Sequence, residues 1–69
     1  MKISARNVLK GKVISVSEGA VNSEVILELT GGAKVVSIIS KESAKKLGLK
    51  PGKKAYAIIK ASNVMMAVD

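Results

Sequence analysis

The chain contains no cysteine and no histidine. The first absence rules out a disulfide framework and a thiolate nucleophile. Together they rule out a Cys/His zinc site and Ser-His or Cys-His catalysis. Acids are scarce too: Glu18, Glu24, Glu28, Glu42 and Asp69 are the only five. They are too scattered to make the paired carboxylates of acid–base chemistry or a carboxylate metal site. No catalytic or metal-ligating residue is expected, and the chain does not read as an enzyme. Aromatics are nearly missing, with Tyr56 alone and no Phe or Trp, so small and β-branched side chains must build any core. No apolar run approaches the ~18 residues of a membrane-spanning helix. The opening MKISARN has a lysine but no apolar stretch like that of a secretory signal. A soluble, cytoplasmic protein without a membrane partner is expected.

What remains is a short, apolar and strongly basic chain. Its 69 residues make one domain, 48% of them are hydrophobic, and the formal charge is +7. A domain of this size buries only about 60% of its unfolded surface and is marginal alone. A chain so small and so apolar is expected to share its core with copies of itself.

The apolar pattern is mainly that of strands. Lys12 to Ser17 is β-branched and lies between Gly11 and Glu18-Gly19. Val21 to Leu29 alternates, with Val21, Ser23, Val25, Leu27 and Leu29 on one face. Thr30-Gly31-Gly32 supplies a hairpin turn, and Ala33 to Ile39 follows with Val35 and Ile39 on one face, Val36 and Ile38 on the other. A strand apolar on both faces needs cover on both, and a partner subunit is the natural second cover. The period then changes. Ser40 to Leu49 reads as a short helix, with Ser40 as N-cap, Glu42 in the first turn, Lys45 and Lys46 in the last, and Gly48 as stop. Lys50-Pro51-Gly52 turns into a strand at Ala55 to Ile59, and a last strand is expected at Val64 to Val68. Three strands, a helix and two strands give an all-β chain in the order of a small five-stranded OB-like barrel.

A charge of +7 asks for an anionic partner. OB folds often bind single-stranded nucleic acid, but they stack bases on aromatic side chains. Tyr56, alone, shares a strand face with Ile58 and is expected in the core. Nucleic acid is therefore the weaker alternative, and a small oxyanion fits better. Ser4-Ala5-Arg6-Asn7 puts a hydroxyl and a guanidinium on one face of an extended segment. Ser40 and Ser43 straddle the start of the helix, where an anion is favoured. Lys60-Ala61-Ser62 sets an ammonium and a hydroxyl around a small residue. Each cluster has a plainer reading as well: an ion pair for Arg6, simple capping for Ser40 and Ser43, an exposed strand end for Lys60. Taken together the clusters hold donors and no acid, which suits a fully deprotonated tetrahedral dianion.

At these residues the chain resembles the molbindins, the small molybdate-binding proteins of the Mop family, over almost its whole length. Ser4-Ala5-Arg6-Asn7 is the most specific element. Leu9-Lys10-Gly11, Gly19 to Val25, Gly31-Gly32, Ser43 with Leu47-Gly48-Leu49, and Lys60-Ala61-Ser62 with Val64 support it. The resemblance implies an OB-like barrel with a strand exchanged between subunits. It also implies a homo-hexamer, a trimer of dimers, binding molybdate or tungstate at its interfaces without a catalytic cofactor. Ser4, Arg6 and the Ala5 backbone would approach from one subunit, and Ser40, Ser43, Lys60, Ala61 and Ser62 from another. Val21 and Asn22 would line a second class of site. The role implied is molybdenum storage or homeostasis by a free-standing binding protein.

Overall fold

The computed structural model describes residues 1–69, and its longest element, β1 (Asn7–Glu18), organises the rest. β1 is long because two strands share it. β4 (Lys54–Ile59) pairs with its first half and β2 (Asn22–Leu29) with its second, both antiparallel. β3 (Lys34–Ser40) pairs with β2, so the sheet order is β3-β2-β1-β4. The expected strand at Lys12 to Ser17 is thus only part of β1. Val8 and Leu9 extend it towards the N-terminus, with Lys10 between them and Gly11.

Two local features curl the sheet. Ile14 has no partner where Val13 faces Leu27 and Ser15 faces Ile26, which is a β-bulge. The extra residue shifts the alternation, so Val13 and Val16 both turn inward although they are three apart. Gly11 supplies the second feature. A Cβ there would run into the Glu28 carbonyl and sit 2.9 Å from Leu27 Cγ. Backbone of β2 comes this close only because position 11 has no side chain. Gly11→Ala is expected to destabilise the fold by about 1–3 kcal/mol through overpacking, seen as a lower urea midpoint with the slope unchanged.

The concave face holds the core. Val13, Val25 and Leu27 are buried, and Val16, Leu29, Ile39, Leu49, Ala55 and Ala57 pack round them. Ser23 is also buried, and its hydroxyl has no hydrogen-bond partner within the chain. The convex face stays apolar in places: Val36 is 59% exposed and Ile38 68%. β3 therefore carries apolar residues on both faces, as its sequence implied, and one chain covers only one of them.

The helix α1 (Lys41–Lys46) follows β3 directly. Ser40 caps it, accepting the Ser43 N–H at 3.0 Å. At the other end Gly48, at φ 66°, donates to the Lys45 carbonyl and Leu49 donates to that of Ala44. These two bonds are a Schellman stop, and they return Leu49 to the core. The Gly52–Lys53 loop then bonds both backbone groups of Val13, which sets β4 alongside β1.

The expected fifth strand does not form within the chain. After β4 a single 3₁₀ turn (Ala61–Asn63) leads to Val64–Asp69, which has no strand pairing. Met65, Met66 and Val68 are each about nine-tenths exposed. A strand needs an edge to pair with, and this turn carries the tail away from both. One chain is thus an open, curled sheet of four strands and one short helix, not a closed five-stranded barrel. An apolar cavity of about 770 Å³ is bounded by residues of both edge strands, β3 and β4.

Candidate oxyanion site

The pairing of β1 with β4 decides how the donor clusters meet. Asn7 faces Ile59 at the end of that ladder, so Arg6 and Lys60 stand one residue beyond the last pair. The Asn7 side chain fastens this end by donating to the Ile59 carbonyl at 3.1 Å. Strand alternation puts Asn7 and Ile59 inward and turns Arg6 and Lys60 outward, where both are exposed. Ser4 precedes them with the same parity as Arg6, Ala5 is half-buried between, and Ala61 and Ser62 open the 3₁₀ turn. Two segments far apart in sequence, Ser4–Arg6 and Lys60–Ser62, thus flank the same end of the β1–β4 ladder. Asn7 was read only as part of a motif, and its positioning bond is visible only in the fold.

Ser40 and Ser43 lie elsewhere, at the end of β3, the opposite edge strand of the sheet. Asn22 is the partner of Ser40 across β2–β3, and the Val21 carbonyl accepts the Lys41 N–H at 2.9 Å. The residues read as a second site, Val21 and Asn22, are therefore contiguous with this serine pair. All four side chains are exposed.

The hydrogen bonds at the helix start refine the chemistry of the two serines. Capping uses the Ser43 N–H, and Val21 takes that of Lys41. Ser40 Oγ also donates to Ser43 Oγ at 2.8 Å. A hydroxyl has one proton, so that of Ser40 is spent within the pair and Ser43 keeps its own for a ligand. Ser40 acts here as the group that orients Ser43. The plain capping reading of Ser40 is correct, and it leaves Ser43 as the outward donor.

Electrostatics separate these clusters from the rest of the surface. Lys41 and Glu18, at 3.9 Å and both exposed, form the only ion pair in the chain, so the guanidinium of Arg6 and the ammonium of Lys60 have no carboxylate partner. No three of His, Cys, Asp and Glu are grouped to hold a metal ion. No helix is long and apolar enough to cross a membrane. Tyr56 corrects an expectation: it is 52% exposed on the convex face beside Ile58, not in the core. A single aromatic still offers no platform for successive bases.

Comparisons with known proteins identify the family. A family model described as the TOBE domain matches residues 3–66. The chain is 54% identical over 66 residues to molybdenum-pterin-binding protein 3 of Clostridium pasteurianum, covering 96% of this chain and 97% of that one. Among solved structures it is similar to MopII from Clostridium pasteurianum, with a TM-score of 0.92 and 48% identity over 97% of this chain and 100% of the other. It is also similar to ModG, described as a cytoplasmic molybdate-binding protein and solved with molybdate bound. There the TM-score is 0.91 and the identity 52%, over 94% of this chain and 46% of the ModG chain.

Proposed function

The chain belongs to the TOBE domain family and, within it, to the small molybdenum-pterin-binding (Mop) proteins, and from that membership we propose that it binds molybdate or tungstate at sites between subunits. The observation that carries the reading is the cluster at the end of the β1–β4 ladder. It sets Arg6 and Lys60, neither with a carboxylate partner, at one ladder end, with Ser4 two residues from Arg6 in sequence and Ser62 two from Lys60. A tetrahedral dianion has only acceptors, and this cluster offers guanidinium, ammonium and hydroxyl donors with no carboxylate to repel it. Charge-assisted bonds of this kind are roughly twice as strong as neutral ones.

An exposed cluster in one chain becomes a site when a second chain closes over it. In the assembly Ser4, Arg6 and the Ala5 backbone come from one subunit with Lys60, Ala61 and Ser62, which the β1–β4 register sets at the same end of that chain, and Ser43, oriented by Ser40, comes from another; this departs from the sequence-based expectation that Lys60 to Ser62 accompany the serine pair. Val21 and Asn22, beside the serine pair, line the second class of site. The two-faced β3 and the open sheet edges favour a strand-exchanged homo-oligomer, a hexamer built as a trimer of dimers. The role is cytoplasmic binding for molybdenum storage or homeostasis, without catalysis.

Native mass spectrometry with and without molybdate tests this directly. Six copies with bound dianions are the expected result. A monomer of 7.2 kDa that takes up no molybdate would overturn both the assembly and the ligand.

A further inference from the structure

The convex face of the sheet carries a second group of donors, none of them used by the oxyanion cluster. They border a shallow cleft of about 280 Å³ where β1 lies between the β2–β3 turn and the start of β4. Lys10 and Lys12 of β1, Lys54 of β4 and the Thr30 hydroxyl line it, all from exposed residues. Leu29 is the only hydrophobic residue in its wall. Sites for uncharged small molecules are mostly apolar, so a wall of this kind selects a charged ligand.

Strand register holds these charges together. Lys12 is directly opposite Lys54 on one side and Glu28 on the other, and Glu28 is opposite Lys34. Lys10 shares the face two residues along β1. Glu28, the only acid in this group, sits between Lys12 and Lys34 without closing an ion pair to either. Lys10 and Lys54 have no acid opposite them at all. Like charges directly opposite each other destabilise a sheet. An anion laid over Lys12 and Lys54 turns that repulsion into a shared attraction.

Spacing decides the class of anion. Lys12 and Lys54 are about 5 Å apart at Cα across the ladder, and Lys10 is about 7 Å from Lys12 along the strand. Gathering three ammonium groups on one small tetrahedral ion crowds like charges. A row of linked phosphates gives each lysine its own oxygens and carries a charge to match. Tyr56 stands opposite Lys10 and is half-exposed. One ring is too few for a nucleic-acid strand, but it is enough to stack a single base.

The cleft is also remote from the oxyanion cluster. Asn7 and Ile59 close one end of the β1–β4 ladder and Lys12 and Lys54 the other. The two ends are about 17 Å apart at the usual rise per residue. That is about twice the Debye length of ~8 Å at physiological salt, so a charge changed in the cleft is largely screened at Arg6 and Lys60.

We propose that this cleft is a separate site for linked phosphate groups, such as those of inorganic polyphosphate or of a nucleoside triphosphate, held by Lys10, Lys12, Lys54 and Thr30. It uses no residue of the molybdate reading and does not depend on it.

Calorimetry on the full chain at physiological salt tests the site, with tripolyphosphate and with magnesium-free ATP as the probes. Both should bind saturably, and orthophosphate much more weakly. Lys12→Gln and Lys54→Gln together should weaken tripolyphosphate binding about tenfold. Lys45→Gln and Lys46→Gln remove the same charge from α1 and should change it by less than about twofold. The first pair should also raise the urea midpoint of the unliganded chain, because it removes two opposed charges. Lost binding can then not be put down to lost folding. Saturating molybdate should leave tripolyphosphate bound. ATP tighter than tripolyphosphate by about fivefold, with the margin lost in Tyr56→Ala, supports the site with a nucleotide as its ligand. Equal affinities, unmoved by Tyr56→Ala, support it with the phosphate chain alone. No saturable binding of either probe, an equal loss in both double variants, orthophosphate as tight as tripolyphosphate, or displacement by molybdate would each overturn the proposal. Tripolyphosphate binding without molybdate binding removes the functional reading alone.

Discussion

Arg6→Ala and Lys60→Ala are each expected to weaken molybdate binding by roughly 10- to 150-fold in calorimetry. Each removes a charge-assisted hydrogen bond to a dianion that subunit contact partly desolvates, typically ~1.5–3 kcal/mol. The two groups sit side by side at the fastened end of the β1–β4 ladder, and neither has a carboxylate to fall back on. Ser43→Ala should cost less, about 1 kcal/mol, because it removes a neutral donor. Lys45→Ala and Lys53→Ala are the controls. They alter the surrounding field only and should lose little at physiological salt. If the controls fall as far as Arg6→Ala, affinity comes from net charge and not from a built site. Co-assembled Arg6→Ala and Lys60→Ala chains then test whether one chain supplies both groups. The β1–β4 register places them together, so the mixture should recover no binding beyond either variant alone. Recovery would mean that a site draws its arginine from one chain and its lysine from another.

Phosphate is expected to bind far more weakly than molybdate, by roughly 30- to 20,000-fold. Phosphate near neutral pH keeps at least one proton, and the cluster has no carboxylate to accept it, while a hydroxyl turned to accept it no longer donates to the ligand. Two groups are then left unmet, the ligand hydroxyl and the protein donor it faces. Each costs about 1–3 kcal/mol in a desolvated site. The margin should persist through mildly alkaline solution, because hydrogen phosphate holds its last proton at any pH where a lysine ammonium stays charged, and competition calorimetry across a pH series would reveal it. Sulfate is the informative comparison. It is as fully deprotonated as molybdate but smaller, so only cavity size can exclude it. Phosphate binding within a few-fold of molybdate near neutral pH would refute this reading of the cluster. Tungstate, with the same charge and nearly the same size as molybdate, is expected to compete closely.

Much of this protein was legible in its residues because the relevant signals are local. The lack of Cys and His and the scatter of the acids can be read from the residues alone. Alternation marked β2, and the Ser40 cap and Gly48 stop marked the helix, since these depend on groups a few residues apart. The donor-rich runs at Ser4–Arg6, Ser40–Ser43 and Lys60–Ser62 could be named for the same reason. The tertiary structure decided whatever depends on pairing across the chain. It lengthened β1, because that strand must serve two partners at once. It placed a bulge at Ile14, which alternation cannot anticipate when an unpaired residue resets it. It moved Tyr56 from the core to the convex face and left Val64–Val68 without a strand, because burial and pairing need a neighbour that a linear pattern does not contain. Above all it set Arg6 and Lys60 at one end of the β1–β4 ladder and put Ser43 in the helix that follows β3, the edge strand on the far side of the sheet. Residue types are set by sequence, but their proximity is set by strand register, and register is a property of two segments at once.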